Sequence, residues 1–172
     1  MSAEPTRRML LAAAGSGTLL LAGCKGIAAL GPLPTLAPDV RTLDEAIRAE
    51  ELMVATYEAA LSALGAGPGA GRLTPVLATV LADHRAHLAQ LRKRLVLPPR
   101  LATARPRQSQ PPPALPAGRG RIVGSLLAAE REAAARLARQ LLDVPPALAQ
   151  LMASIGASEA AHVVVIAAAR RR

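Results

Sequence analysis

The stretch Ile155-Gly156-Ala157-Ser158-Glu159-Ala160-Ala161-His162-Val163-Val164-Val165-Ile166 decides how this chain is read. Glu159 follows Ile155 by four residues and His162 follows it by seven, so on a helix both fall on the apolar stripe that Ile155 marks. A single unpaired charge on a buried face costs several kcal/mol. Groups of matching chemistry are therefore expected on the other elements that face this one.

They are present. A first helix is expected from Thr42, which forms a T-x-x-E capping box with Glu45, to Gly65, with a stripe of Leu43, Ile47, Val54, Tyr57, Leu61 and Leu64. Glu50 lies on that stripe. A second helix is expected from Thr74-Pro75 and stops before Pro98-Pro99. Its stripe, Val76, Leu77, Val80, Leu88, Leu91 and Leu95, is interrupted by His84 and His87. A third runs from Arg121 to Leu142 on Ile122, Val123, Leu126, Leu127, Leu137 and Leu141, with Glu130 among them. The fourth follows the break Asp143-Val144-Pro145-Pro146 and carries Leu148, Leu151, Met152, Ile155, Val163 and Ile166; Gly156 inside it is a place for a bend or a close approach. Glu51, Glu58 and Glu132 fall off the stripes and belong to the surface, and Asp83 flanks the second stripe.

The connections set the topology. Gly65 to Arg72 is a glycine-rich turn, whereas residues 98–120, with Pro111-Pro112-Pro113 at the centre, have no helical periodicity and read as a linker. Two antiparallel hairpins joined by one long Pro-rich crossover follow, an all-α four-helix bundle. Helices of about 30 Å are easily spanned by some twenty extended residues, which reach about 65 Å.

Glu159-Ala160-Ala161-His162 resembles the E-x-x-H of ferritin-like di-metal bundles, in which two helices carry E-x-x-H and two carry a single Glu. Glu130 matches one single Glu. Glu50 with Tyr57 two turns later resembles the first helix of ferritins and bacterioferritins, and His84-Arg85-Ala86-His87 stands where the other E-x-x-H would be. The resemblance implies a ferritin-like domain over residues 41–172, a metal set of Glu50, His84, His87, Glu130, Glu159 and His162, and iron or manganese as cofactor, with zinc also suited to the donors. It further implies metal binding or redox chemistry related to oxidative stress. One position departs from the family pattern: His84 replaces a glutamate, so three carboxylates stand where the family has four. A mononuclear site, a differently arranged pair and a metal-free polar network all stay open.

Outside the helices the chain reads as an exported one. Residues 1–23 resemble a signal peptide: Arg7-Arg8 precede the apolar run Met9–Ala22, a pattern similar to a twin-arginine signal, and that run is short for a span. Leu21-Ala22-Gly23-Cys24 resembles a bacterial lipobox, and Cys24 is the one cysteine in the sequence, so lipidation is expected there and an internal disulfide is excluded. Residues 24–40, with Pro32, Pro34 and Pro38, form the expected tether between a lipid anchor and the domain. The expected location is the outer face of the plasma membrane. The whole resembles a family of exported actinobacterial ferritin-like lipoproteins, and a homo-oligomer is compatible with it.

Composition narrows the alternatives. The sequence is 51% hydrophobic but 1% aromatic, so its core must be built from Leu, Val, Ile, Met and Ala. Single-strand nucleic-acid readers need aromatic platforms; the net charge of +9 is scattered arginine, apart from Arg170-Arg171-Arg172, and reads as a solvated surface rather than a nucleic-acid site. No Ser/His/Asp triad, phosphate loop or nucleotide fingerprint is visible. Two other functions compete with metal binding: a metal-free interaction or scaffold lipoprotein of the cell envelope, and a basic envelope protein that contacts anionic lipid or wall polymer.

Overall fold

The structure, a computed structural model, describes residues 37–65, 71–97 and 114–170. The expected signal segment 1–23, Cys24, the tether up to residue 36 and linker residues 98–113 lie outside the described residues. Those described contain four α-helices and no strand: α1 Pro38–Gly65, α2 Leu73–Arg94, α3 Arg119–Gln140 and α4 Pro146–Arg170, with one 3-10 turn, Leu141–Asp143, ahead of α4.

Two helix starts differ from the sequence expectation. α1 begins at Pro38, so Thr42 lies inside the helix and is buried instead of capping it. Proline suits the first helical position, where its missing N–H costs nothing, and Asp39 in the first turn favours the helix dipole. Residues 38–40, assigned above to the tether, are thus helical. The N-cap of α2 is Arg72, without a side-chain cap, which places Thr74 and Pro75 within the first turn. At α3 the cap is Gly118 at φ 93°, a conformation that needs glycine, and its carbonyl accepts from the N–H groups of Arg121 and Ile122. The helix therefore starts two residues before the end of the expected linker. Arg92, Lys93 and Arg94 fill the last turn of α2, where positive charge is favoured.

The helices form a square. α1 packs along α2 and α3 along α4; α2 also meets α4, and α1 meets α3, whereas the backbones of the diagonal pairs, α1 with α4 and α2 with α3, stay apart among the described residues. Cross-links show the senses: Glu51 pairs with Arg92 and Glu58 with Arg85 on α1 and α2, while Glu45 meets Gln140 and Tyr57 meets Glu130 on α1 and α3. Partner numbers fall as α1 numbers rise, so neighbours run antiparallel.

The core is divided into two apolar layers. One holds Met53, Tyr57, Leu77, Val80, Leu126 and Ile166 with their neighbours; the other holds Leu43, Ile47, Leu88, Leu91, Leu137, Met152 and Ile155. Each fully buried aliphatic side chain contributes about 1.5–3 kcal/mol, which offsets a polar layer lying between the two. α4 is long and apolar enough to cross a bilayer, by length and composition. Much of that apolarity faces outward, with Val164 65% and Val165 45% exposed, while Met152, Ile155, Glu159, His162 and Ile166 face in.

Gly156 is not forced by packing. A Cβ there would lie 3.5 Å from Leu137 Cβ and 3.8 Å from the Ala134 carbonyl oxygen, ordinary contact distances. Alanine also lowers the unfolded chain's entropy and is the better helix former. Gly156→Ala is expected to stabilise the protein by about 0.5–1 kcal/mol, read as a rise in thermal midpoint. A fall would mean that α3 and α4 need the bare backbone there.

Candidate metal centre

On every helix the ionisable groups interrupt the stripe at one depth. Glu50 comes between Ile47 and Met53 on α1, His84 and His87 between Leu81 and Leu88 on α2, Glu130 between Leu127 and Ala133 on α3, and Glu159 and His162 between Ile155 and Ile166 on α4. The antiparallel packing brings these depths together. All six residues singled out in the sequence meet: Glu50, His84, His87 and Glu159 form one quartet, and His84, Glu130, Glu159 and His162 form another. Within each quartet, one ligand atom per residue lies within 4.8 Å of the others. His84, Glu130 and Glu159 are 0% exposed, and the His87 side chain, at 12%, is the one nearest to solvent.

His84 sits at the centre. Its Nδ1–H donates to Glu50 Oε2 at 3.0 Å and its Nε2–H donates to Glu130 Oε1 at 3.1 Å. Burial alone would lower its pKa, but these two hydrogen bonds and the charge of Glu159 outweigh burial and push it up to about 9. His162 behaves alike: burial is outweighed by its bonds to Glu130 and Glu159, and its pKa rises to about 10. Its Nδ1 faces Glu130 Oε2 at 3.3 Å, and its Nε2 faces Asp83 Oδ2 and Ser158 Oγ, each at 3.3 Å. Glu130 also accepts the Tyr57 hydroxyl. Burial would raise the Glu130 carboxyl, yet the bonds from His162 and His84 hold it well below the usual carboxylate range. Burial and the Glu130 charge in turn push the Tyr57 phenol far above its ordinary value.

Glu159 is the exception. Neither of its buried oxygens makes a hydrogen bond, and the same holds for His87 Nδ1. The contacts are ionic only: Oε1 lies 3.3 Å from His87 Nδ1 and 3.5 Å from His84 Nδ1, and Oε2 lies 3.6 Å from His162 Nδ1. Burial dominates and raises its pKa. A desolvated carboxylate with unused lone pairs in a ring of imidazoles is the arrangement a cation completes.

No family model, curated protein or solved structure matches this chain. Three carboxylates and three imidazoles form a mixed O/N donor set that suits iron, manganese or zinc. Two residues at the rim were not in the expected set. Asp83, with a side chain 49% exposed, flanks the stripe, from where a slight rotation of the helix lets it take part. Ser158 was not singled out, although its spacing of four from His162 puts both on one face of α4. Elsewhere the acidic groups off the stripes pair with surface arginines: Glu51 with Arg92, Glu58 with Arg85 and Glu132 with Arg139. Asp44, buried beside Arg48, is a polar core position that periodicity alone did not flag.

The raised histidines predict a pH profile for the chelator-treated protein. A ring whose folded pKa lies above its unfolded value of 6.5 contributes stability that is complete below that value and is lost as pH rises through the folded pKa. The groups facing His84 and His162 are Glu50, Glu130, Glu159, Asp83 and the neutral Tyr57. The thermal midpoint should fall by more than about 5 °C between pH 8 and 10, while the Glu130 contribution remains intact there. A flat profile over that interval would contradict the assigned proton positions.

Proposed function

We propose that this chain is an exported, lipid-anchored protein of ferritin-like type that holds a transition metal between Glu50, His84, His87, Glu130, Glu159 and His162. The observation that carries this reading is the pair of overlapping quartets with the unbonded Glu159 carboxylate common to both. An interior designed only for rigidity would satisfy that carboxylate or replace it by an apolar residue, since a buried ion pair rarely exceeds a hydrophobic one in stability. Iron or manganese at this position would supply one-electron chemistry towards peroxide or oxygen, and zinc would be held without redox change.

The ferritin-like arrangement is supported by the antiparallel neighbours, by the diagonal placement of α2 and α3, whose backbones stay apart among the described residues, and by the long stretch that joins those two helices. Such a diagonal step suits the expected crossover. The lipobox-like Leu21-Ala22-Gly23-Cys24 and the Arg7-Arg8 pair support export and a lipid anchor at the outer face of the plasma membrane. The chain's own residues have separable parts in this reading. Glu130 is fixed by three donors, Asp83 and Ser158 steady His162, and Tyr57 ties Glu130 to the apolar cluster it shares with Leu77 and Leu126.

Elemental analysis of the purified full chain tests it. The expected result is transition metal in stoichiometric amount, lost in the Glu130→Ala/His162→Ala double variant while helical content is kept. Protein that takes up neither iron, manganese nor zinc on addition would leave the metal-free scaffold as the better reading.

A further inference from the structure

The two quartets share His84 and Glu159, and no other residue. What remains on each side is one glutamate and one histidine: Glu50 with His87, and Glu130 with His162. His84 divides the layer, because its ring nitrogens lie on opposite edges. Nδ1 is 3.0 Å from Glu50 Oε2 and 3.5 Å from Glu159 Oε1, whereas Nε2 is 3.1 Å from Glu130 Oε1. Glu159 straddles the same divide, with Oε1 turned to His87 and Oε2 to His162. Each nitrogen and each oxygen of the two shared residues thus faces a different half.

Charge decides how such a layer is filled. Two divalent cations bring four positive charges into an interior where His84, Glu130 and Glu159 are 0% exposed. The three glutamates supply three negative charges. Asp83 lies half-exposed at the rim, where solvent screens it, so inside the layer one charge would stay uncompensated unless a fourth negative group forms in place. The candidate is the ring that already offers a nitrogen to each side.

We propose that the layer binds two divalent cations, one in each quartet, bridged by His84 as an imidazolate and by the Glu159 carboxylate. This rests on the metal-holding reading above. Both ring protons of His84 pass to water as the ions bind, leaving one negative charge on the ring and a lone pair for each ion. Three carboxylates and one imidazolate then balance two divalent ions. A histidine where the resemblance implies a glutamate thereby restores the charge it appeared to remove, but it holds the ions further apart. Two metal–nitrogen bonds of about 2.0–2.1 Å on either side of the ring give a separation of about 6 Å, against about 3.5–4 Å for paired ions of the usual two-metal kind.

Copper(II) and zinc serve as probes on the purified full chain. Zinc is expected to saturate at two ions per chain. Copper is expected to give an isolated spin signal at one equivalent that is lost at two, through coupling across the ring, with a weak half-field transition that reports the longer separation. His84→Glu should still take two ions but bring them to carboxylate-bridged distance, with a much stronger half-field transition. Saturation at one ion, or two copper signals that simply add, would overturn the bridge and leave metal binding standing. No uptake by the unsubstituted chain would overturn both. The copper spectra need no variant, so the inference stays testable if His84→Glu does not fold.

Discussion

Glu159→Gln should abolish metal binding and make the metal-free protein more stable. The two effects have one origin. Glu159 is shared by both quartets, so removing its charge weakens every ion the layer holds, by more than about 100-fold, since loss even of supporting residues costs 10–100-fold. Without metal, however, its ionisation opposes folding: burial raises its pKa, and neither oxygen is hydrogen-bonded. A carboxyl whose folded pKa exceeds its unfolded value of 4.5 lowers stability at every pH above that range. Glutamine has nearly the same shape, carries no charge, and turns one oxygen into an N–H2 donor beside the acceptors Glu50 and Glu130. Relieving a buried unsatisfied group is worth about 1–3 kcal/mol, a rise of roughly 3–10 °C in thermal midpoint for a domain of this size. Thermal unfolding in chelator, set beside zinc binding by equilibrium dialysis, gives both numbers. A variant that melts lower than the parent, or that binds zinc as well, would remove Glu159 from the role assigned to it.

The opposing signs within one layer explain why the site could be read in advance and its details could not. Helical periodicity is a strong signal, and a glutamate or histidine on an apolar stripe stands out at positions 50, 84, 87, 130, 159 and 162. Convergence at one depth was legible too, because helices joined by short turns lie antiparallel and the apolar residues on either side of each polar one fix the height. Periodicity cannot say which atom of a ring points where. That Nδ1 and Nε2 of His84 face different carboxylates, or that Glu159 lacks hydrogen bonds while Glu130 has three donors, depends on rotamers and on a few degrees of helix rotation. The same rotation brings Asp83 to His162 from the edge of its helix. Helix starts were misread for a different reason. Thr42 has an ideal capping pattern, but Pro38 suits the first helical position and Asp39 favours the helix dipole, so α1 starts a turn earlier. The ends of the chain offered motif resemblance alone.

His84→Ala should act on stability in the opposite direction from Glu159→Gln. The ring is 0% exposed and supplies both of the hydrogen bonds that join Glu50 to Glu130. Alanine leaves a cavity and, at neutral pH, three carboxylates around it with His162 and His87 as the nearest cationic or polar groups. Breaking a buried pair by removing one partner costs about 3–5 kcal/mol, a large part of the about 5–15 kcal/mol that holds a whole domain together. The thermal midpoint of the chelator-treated variant is expected to drop by roughly 10–20 °C at pH 7. The deficit should shrink near pH 4–5, where the orphaned carboxylates take up protons and cease to repel one another. That pH dependence separates the electrostatic loss from simple cavity formation, which would cost the same at both values. A midpoint within about 2 °C of the parent at pH 7 would mean that the glutamates rearrange towards solvent when the ring is gone, and that His84 does not hold the layer together.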